Sequence, residues 1–354
     1  LLSLSSSLTS RQCHQRTLAR STRSATFNMR YWLHGPSATI IPTIGQQSAK
    51  LLDNLLFSLP IPVELLVADA GGAVANAARL LLNHSEVERS TVAEGGEHLS
   101  CMTPLQRPPH NTICIVVGKG NNGADGLVAG RLLATRGDRV SLFIPPTWLR
   151  WLPTAEAVAA ASVDNAAHVP PSSLDAIAGT PLGRLRLDAD LPDSLSLSLS
   201  LCLSALLAGA TLHPWSAFTQ LAVQQGSTDL VVDALFGFGF DASRALPDDH
   251  AAVLGAMAAF PGKVLCVDVP SGTSADGVHH PASLTRNLAA APALISLTAP
   301  KDASHTVRLS QHFLAASFVP PVVLAAFNLG AISSATAAQR DHDGTDILTL
   351  TSVD

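Results

Sequence analysis

Glycines and amides are concentrated in one nine-residue stretch, GKGNNGADG, which directly follows the apolar run TICIVV. Gly118, Gly120 and Gly123 form a G-x-G-x-x-G pattern, whose glycines let backbone amides approach a phosphate closely. A helix that begins in such a loop also presents its N-terminus, which favours an anion. The stretch therefore indicates a nucleotide-binding loop, although a glycine turn can equally serve only to pack a helix on a strand.

Two features separate this loop from the phosphate loop of an ordinary nicotinamide dehydrogenase. The next apolar run, RVSLFIPP, ends without an acidic residue that could hold a ribose. In addition, Asn121, Asn122 and Asp125 supply amide and carboxyl groups that a dehydrogenase loop does not need. The loop is not a Walker-type loop either, because no G-K-[ST] follows. A dehydrogenase is therefore a disfavoured alternative.

Two aspartates, Asp233 and Asp268, end strongly apolar runs, and Ser271 follows the second of them in VPSG. An aspartate in this position can simply cap the next helix. Two carboxylates at a dry rim can also act as general acid and base, or as ligands of a cation. Asn122, Asp233 and Ser271 offer only oxygen donors, which suit potassium or magnesium better than zinc.

The elements that must position these groups are apolar strand-like runs that alternate with helical runs. The strand-like runs begin at Thr112, Arg139, Asp229, Lys263 and Ala293. This alternation predicts a Rossmann-like three-layer α/β/α sandwich with a mostly parallel sheet. Ligands of such sheets bind beyond the carboxyl ends of the strands. We therefore expect the glycine loop, both aspartates, Ser271 and Lys301 to lie at one edge of the sheet.

The domain organisation follows from changes in composition along the chain. Residues 1–40 are rich in arginine, serine and threonine, and no acidic residue precedes Asp53, which predicts a transit peptide or disordered leader. This composition is typical of mitochondrial targeting, with a cytoplasmic form as a second location. We expect one domain over 41–330, irregular insertions near 85–111 and 165–226, and a tail over 331–354. The uncharged Ser/Leu-rich run 194–212 is predicted to be a low-complexity insertion and not a membrane span.

Composition also excludes some functions. The chain has 354 residues, of which 47% are apolar, so it can bury a sizeable core. A net charge of −5 disfavours a protein that binds nucleic acid by neutralising phosphates. An aromatic content of 5% disfavours a base-stacking surface. Nucleic acid is therefore not an expected partner, and neither is a membrane.

Five sequence blocks occur in a fixed order: GKGNNGADGLVAGRLL, DLVVDALFGFGF, VLCVDVPSG, LISLTAPK and FLAASFVPP. In this order they resemble the NAD(P)H-hydrate epimerase family, the YjeF amino-terminal domain, over residues 44–321. The resemblance implies a Rossmann-like homodimer that interconverts the R and S epimers of hydrated NADH and NADPH. It also implies a separate ATP- or ADP-dependent dehydratase that restores the cofactor. A non-catalytic nucleotide-binding or scaffold module of the same fold is the alternative.

The resemblance also implies roles for particular residues. Those expected to line the substrate phosphates are Asn121, Asn122, Gly123, Ala124 and Asp125. Those expected to close over the substrate are Gly237, Phe238, Gly239, Phe240, Asp241, Ala242 and Ser243. Asp268 would contact the substrate and is the candidate acid/base group. The resemblance further implies a potassium ion, held by Asn122, Asp233 and Ser271.

Two positions depart from the family pattern. The family has NNGGDG where this chain has Ala124, and it has a glutamate where this chain has Ala68. If the backbone at Ala124 needs a positive φ, an alanine there costs about 1 kcal/mol or more. The change at Ala68 is expected to loosen the N-terminal helix or the dimer.

Overall fold

Short runs of valine, isoleucine and leucine form the centre of a ten-stranded sheet, because such side chains pack well on a pleated surface buried on both faces. The structure is a computed structural model that describes residues 31–36, 38–93, 110–154, 157, 193–221, 228–288 and 290–352. Its strands are β1 (Tyr31–His34), β2 (Thr39–Pro42), β3 (Thr112–Val117), β4 (Arg139–Ile144), β5 (Thr211–Pro214), β6 (Leu230–Ala234), β7 (Lys263–Val267), β8 (Ala293–Leu297), β9 (Gln311–Ala315) and β10 (Ile347–Thr351).

The sheet has the strand order β2-β1-β10-β9-β8-β7-β6-β3-β4-β5. Strands β3 to β9 run parallel, whereas β10, β1 and β2 are added at one side in antiparallel pairs. From β3 the chain proceeds outward to β4 and β5 and then returns to β6, on the other side of β3. Because the chain order reverses between β3 and β6, a crevice for a ligand is expected at the carboxyl ends of these two strands.

Helices cover both faces of the sheet. They are α1 (Gln46–Ser58), α2 (Val63–Ala93), α3 (Asn121–Thr135), α4 (Asp193–Leu207), α5 (Trp215–Leu221), α6 (Asp248–Ala258), α7 (Leu284–Asn287), α8 (Pro321–Ala326) and α9 (Gly330–Asp343). Alternate side chains of β3 belong to different cores: Ile115 packs in the cluster that contains α2, α3 and α4, and Val116 packs in the cluster that contains α5 and α6. The predicted Rossmann-like three-layer sandwich with a mostly parallel sheet is therefore confirmed.

Helix α2 is the long apolar helix of the core. Its segment 63–83 is long and apolar enough to cross a membrane, but 56% of the most apolar window is buried inside the fold. It packs closely on α3, since a Cβ atom placed at Gly71 would lie 2.5 Å from the Cβ of Val128. A larger residue at Gly71 would thus push the two helices apart. This packing is that of a core helix.

The domain begins earlier and ends later than the sequence predicts. The predicted leader 1–40 includes β1 and the start of β2, and Leu33 of β1 pairs with Thr351 of β10. The predicted tail 331–354 includes most of α9 and all of β10, where Leu348 is fully buried. Both predictions are wrong for these parts, because the pairing joins chain segments more than 300 residues apart and leaves no local signal. Residues 1–30 lie outside the described residues.

The predicted insertions are also partly regular. Helix α2 continues through 85–93, and the Ser/Leu-rich run forms α4, followed by β5 at the edge of the sheet and then α5. The alternation of serine and leucine in this run suggests no helix, yet winding it into one buries Leu199, Cys202 and Leu206 on a single side. The prediction of an irregular insertion is therefore wrong for α4. The rest of the two insertions, and nearly all of the helix predicted at 155–162, lie outside the described residues.

Candidate functional site

A cavity of about 470 Å³ lies where the chain order reverses, at the carboxyl ends of β3, β6, β7 and β8. The loops after these strands form one wall, and residues of α1 and α2 form another. Its lining consists of Asp53, Leu56, Phe57, Leu66, Val67, Ala70, Gly118, Lys119, Gly120, Asn121, Asn122, Asp125, Leu235, Phe236, Gly237, Phe238, Gly239, Phe240, His250, Asp268, Leu297, Thr298, Lys301 and Phe318. Its size lies in the range of small-molecule sites.

The glycines of the first loop serve both to pack the helix on the sheet and to leave space for an anion at the helix N-terminus. A Cβ atom at Gly118 would lie 1.8 Å from the carbonyl oxygen of Leu235, and one at Gly123 would lie 2.0 Å from the carbonyl oxygen of Gly118. These two glycines are therefore required for packing. Gly120 immediately precedes α3, lines the cavity and has no atom within 4 Å of a Cβ position. The N-terminus of α3 thus faces open space, where an anion is favoured.

The three residues predicted to hold a cation lie in one hydrogen-bonded network beneath the loop after β6. The Asn122 amide donates to the carbonyl oxygen of Phe236 at 2.9 Å, and the Phe236 N–H donates to Ser271 Oγ at 2.9 Å. Ser271 in turn donates to both carboxylate oxygens of Asp233, from Oγ at 2.6 Å and from its backbone N–H at 2.8 Å. The structure therefore brings Asn122, Asp233 and Ser271 together.

Asp233 is a fully buried carboxyl group with neutral hydrogen-bond partners. Burial raises its pKa, and the hydrogen bonds from Ser271 act in the opposite direction. The ion pairs formed among the described residues do not include Asp233. A buried carboxylate without a positive partner is costly, so this group fits either a proton or a bound cation. The Ser271 hydroxyl beside it is an oxygen donor of the kind that suits a hard cation, and the Cys266 thiol also hydrogen-bonds to this carboxyl group.

Asp268 connects two loops of the cavity wall. One of its carboxylate oxygens accepts a short hydrogen bond from Lys301 Nζ, and the other accepts the Phe238 N–H at 3.1 Å. Lys301 also donates to the carbonyl oxygen of Leu297 at 2.7 Å. The backbone of Asp268 has a φ of 66°, a left-handed conformation that costs a residue other than glycine about 1–3 kcal/mol. Strain of this kind at a cavity wall is typical of functional sites.

Two further carboxyl groups enter the same cavity, Asp53 from α1 and Asp125 from α3. Burial raises the pKa of Asp53 to about 6, while Lys301 lowers it and Asp268 raises it. Burial also raises the pKa of Asp125 well above its usual range, and the charges of Asp268 and Asp53 add to that effect. Three carboxyl groups and one lysine therefore interact in one partly apolar cavity, an arrangement that favours proton transfer.

The structure places the predicted substrate-binding residues in two groups. Those on the cavity wall are Asn121, Asn122, Asp125, Gly237, Phe238, Gly239, Phe240 and Asp268. Those outside it are Gly123, Ala124, Asp241, Ala242 and Ser243. The last three form a turn in which Asp241 Oδ1 accepts hydrogen bonds from the Ser243 N–H at 3.0 Å and from the Ser243 hydroxyl at 2.6 Å. The substrate roles of both groups stay predictions.

Ala124 has no strained backbone. It lies within the first turns of α3 and does not belong to the described residues with a positive φ. Its side chain is 4% exposed and packs with Val67 of α2 and Val128 of α3. A glycine is thus not required at this position, and the alanine fills the contact between two helices. The departure from the family pattern at Ala124 is therefore compatible with the fold.

Sequence reasoning did not assign Asp53, and it assigned Lys301 only to the edge of the sheet. Asp53 lies at the margin of the apolar side of α1, between the buried Leu52 and Leu56. The run LLDNLL indicates an amphipathic helix, but nothing local shows that this helix covers the crevice. For Lys301 the signal was present, because this residue follows a buried strand in LTAPK. Its partner, Asp268, follows the neighbouring strand.

The class of protein is defined by these features: a parallel Rossmann-like sheet with a glycine loop, a helix N-terminus and strand-end carboxylates at its crevice. Comparison with known families is more specific. The model of the family described as YjeF-related protein N-terminus matches residues 63–170 and 186–303. The chain belongs to this family.

The chain is also similar to curated relatives, and a solved structure shares its fold. An NAD(P)H-hydrate epimerase of Schizosaccharomyces pombe is 30% identical over 224 residues, which are 63% of this chain and 72% of the relative. A chloroplastic pyridoxine/pyridoxamine 5'-phosphate oxidase 1 of Arabidopsis thaliana is 27% identical over 228 residues, 62% of this chain but only 33% of that longer protein. The crystal structure of yeast ynu0, YNL200c, superposes with a TM-score of 0.52 at 19% identity, covering 80% of this chain and 93% of the yeast chain, and shows the same fold.

Proposed function

We propose that this protein is an NAD(P)H-hydrate epimerase, an isomerase that interconverts the R and S hydrates of NADH and NADPH. The observation that carries the proposal is the group of three carboxyl groups and Lys301 in a cavity at the nucleotide crevice. The S. pombe relative, which bears this activity in its name, supports the choice of substrate. The phosphates would lie at the N-terminus of α3, beside Gly120 and Asn121.

The reaction inverts the ring carbon that carries the hydroxyl group. Either the hydroxyl leaves and water returns on the other face, or the ring opens at this carbon and closes again. Both routes require a placed group that gives and takes protons, an effect worth about 10²–10⁴-fold in rate. Asp268 suits this role, because the ion pair with Lys301 and the bond from Phe238 fix the orientation of its carboxylate. Asp268 is therefore the candidate catalytic residue.

A potassium ion would be held by Asn122, Asp233 and Ser271. The fit rests on the buried carboxylate of Asp233, whose hydrogen-bond partners are neutral, and on the oxygen donors around it. Such an ion would supply a positive charge beside Asp233 and hold together the loops after β6 and β7. The residues themselves keep these loops joined through the bonds of Ser271 to Asp233 and Phe236.

A non-catalytic nucleotide-binding or scaffold module of the same fold is the alternative. Loss of the carboxyl groups in the cavity would favour that alternative. Here Asp125 and Asp268 are both present and buried. Asp268 accepts a hydrogen bond from the Phe238 N–H, and burial raises the pKa of Asp125. A module that only holds a ligand has no need for a strained, ion-paired carboxylate at its wall. The geometry therefore favours the enzyme.

Several further properties are part of the proposal. We infer a homodimer, a separate dehydratase that acts on the epimerised hydrate, and a mitochondrial location with a cytoplasmic form. The mass of the purified protein in solution tests the first. Addition of an ATP-dependent dehydratase to the epimerase, with NADH recovered in full from a mixture of both hydrates, tests the second. A fluorescent fusion of the full chain tests the third.

The experiment that tests the function uses the full chain and a pure R hydrate in potassium buffer. Chromatography that separates the two epimers follows the appearance of the S form. We expect conversion well above the rate in buffer alone, and its loss in Asp268→Asn. Asp341→Asn is a matched control, since this aspartate is exposed on α9. A rate equal to that of buffer for the unmodified protein would refute the proposal.

A further inference from the structure

Helix α1 is attached to the loops that carry the cavity. At its start, the Ile44 N–H donates to the carbonyl oxygen of Pro300 at 2.9 Å, next to Lys301. The first residue of the helix, Gln46, donates from Nε2 to the carbonyl oxygens of Phe238 at 3.1 Å and Phe240 at 3.3 Å. The helix therefore has a fixed position against two loops of the site.

Asp53 lies on the same side of α1 as Gln46. The two residues are seven positions apart, a spacing that places side chains on one face of a helix two turns away from each other. Gln46 contacts the loop after β6, and Asp53 accordingly lines the cavity below that loop. Asp268 enters the cavity from the end of β7, on the wall formed by the sheet. Two carboxyl groups thus reach one cavity from different walls.

From this arrangement we propose that Asp53 is a second proton-transfer residue, which acts on one face of the substrate ring while Asp268 acts on the other. The inference rests on the proposed epimerase function and extends it. Loss of the hydroxyl group on one face and addition of water on the other are both aided when each face has its own proton-transfer group, and the helix wall and the sheet wall each provide one.

The two carboxyl groups differ in a way that suits opposite roles. Asp268 forms a buried ion pair with Lys301. The ion pairs among the described residues do not include Asp53. Burial raises the pKa of Asp53 to about 6, so it exchanges a proton near neutral pH. A group of this kind is an efficient proton donor and acceptor.

In the proposed step each of the two carboxyl groups transfers one proton. Asp53 gives its proton to the hydroxyl group, the C–O bond breaks, and water leaves with the bonding electron pair. The lone pair of the neighbouring ring nitrogen forms a C=N bond. A water molecule then attacks the same carbon from the other face, its proton passes to Asp268, and the nitrogen recovers its lone pair. One water leaves and one enters, and the proton gained by Asp268 returns to Asp53 by exchange with solvent before the next turnover. The reverse reaction exchanges the two roles.

Other charged groups that face Asp53 come from the elements around it. Lys301 after β8, Asp268 after β7 and Asp125 on α3 interact with it electrostatically, and Lys119 in the glycine loop and His250 on α6 are further ionisable residues that line the same cavity. Lys301 favours the ionised form of Asp53, whereas the carboxylate of Asp268 disfavours it. Asp125 is more deeply buried, and burial raises its pKa well above the usual range, which favours its protonated form.

The test compares the unmodified protein with Asp53→Asn, and with Asp341→Asn as the control. We expect Asp53→Asn to lower kcat by about 10²–10⁴-fold with little change in KM. For the unmodified protein, kcat/KM should fall by about tenfold per pH unit above pH 6, as Asp53 loses its proton. Asp53→Asn should lack this decline. In ¹⁸O-water, each conversion should place one labelled oxygen in the product.

Four outcomes would overturn the inference while leaving the epimerase proposal intact. The first is an Asp53→Asn variant that retains most of the rate, and the second is a variant that keeps the decline with pH. The third is a variant that loses the substrate's protection against thermal unfolding along with its activity, since Asp53 would then serve binding. The fourth is a product that keeps its original oxygen. A lack of epimerisation by the unmodified protein would instead refute the proposed function itself.

Discussion

Lys301 and Asp268 form a buried ion pair between the loops that follow two adjacent parallel strands, β8 and β7. Lys301 is 3% exposed and Asp268 is 5% exposed. The carboxylate of Asp268 also accepts the Phe238 N–H at 3.1 Å, so the pair joins three loops of the cavity. A catalytic carboxylate in such a position is oriented before any substrate binds.

The first prediction concerns the energetic coupling of this pair. Either Asp268→Asn or Lys301→Met leaves a buried charge without its partner, which should lower the free energy of unfolding by about 3–5 kcal/mol. The double variant should lose less than the sum of the two, because it leaves no unpaired charge. Urea unfolding of the four proteins measures this coupling. Strictly additive losses would show that the pair does not interact.

The second prediction concerns the stability cost of Asp53. Its pKa is raised from 3.8 to about 6, so the folded state is favoured below pH 3.8 and loses this advantage as the pH rises through 6. Asparagine does not titrate. Asp53→Asn should therefore be more stable than the unmodified protein by about 3 kcal/mol at pH 8, with little gain at pH 4. Urea unfolding at the two pH values checks this, and a variant less stable at pH 8 would contradict it.

The third prediction concerns His312, a buried histidine whose Nε2 lies 2.9 Å from Ser296 Oγ and whose ring meets the Trp32 ring edge-on at 4.4 Å. Burial lowers its pKa from 6.5 to about 3, and His305 and Lys301 act in the same direction. The unfolded chain therefore binds this proton first, and stability falls as the pH drops from 6.5 toward 3. His312→Gln should remove about 3 kcal/mol of the stability loss between pH 7 and pH 4.

Denaturant titrations at several pH values measure the effect of His312→Gln. An imperfect hydrogen bond from the new glutamine to Ser296 lowers the stability of the variant at every pH. The quantity to compare is therefore the change in the free energy of unfolding between pH 7 and pH 4. Curves of stability against pH that run parallel in the two proteins would mean that His312 does not control the acid response.

The fourth prediction concerns the cation. If Asn122, Asp233 and Ser271 hold potassium, potassium chloride should raise the unfolding temperature more than sodium chloride at equal ionic strength. A hundredfold excess over Kd corresponds to about 2.7 kcal/mol of added stability. Asp233→Asn removes the charged ligand and should abolish the difference between the two salts. An equal response to both salts in the unmodified protein would contradict the potassium site.

The sequence predicted the parallel part of the fold because its signals are local. A continuous apolar run such as TICIVV indicates a strand buried on both faces, and the polar residues after each run mark one edge of the sheet. Asn122, Asp233, Asp268 and Ser271 could be grouped in this way. The glycine loop was interpretable for the same reason, since its pattern lies within a few residues.

What the sequence did not predict depends on contacts between distant segments. The pairing of Leu33 with Thr351 joins the two ends of the described domain, and no periodicity in either short strand indicates its partner. The position of Asp53 at the cavity was not predictable for the same reason. Helix α1 is held over the crevice by the hydrogen bonds of Gln46 to the distant loop after β6. The conformation at Ala124 is set by α3, which begins at Asn121 and therefore includes this residue.

The central claim is that the cavity catalyses an isomerisation. The most direct measurement follows pure R hydrate and pure S hydrate in separate reactions with the full chain in potassium buffer. Both reactions should reach the same epimer ratio, far faster than in buffer alone, and Asp268→Asn should slow both by about 10²–10⁴-fold without changing the final ratio. Binding of either hydrate with no acceleration in either direction would contradict the account.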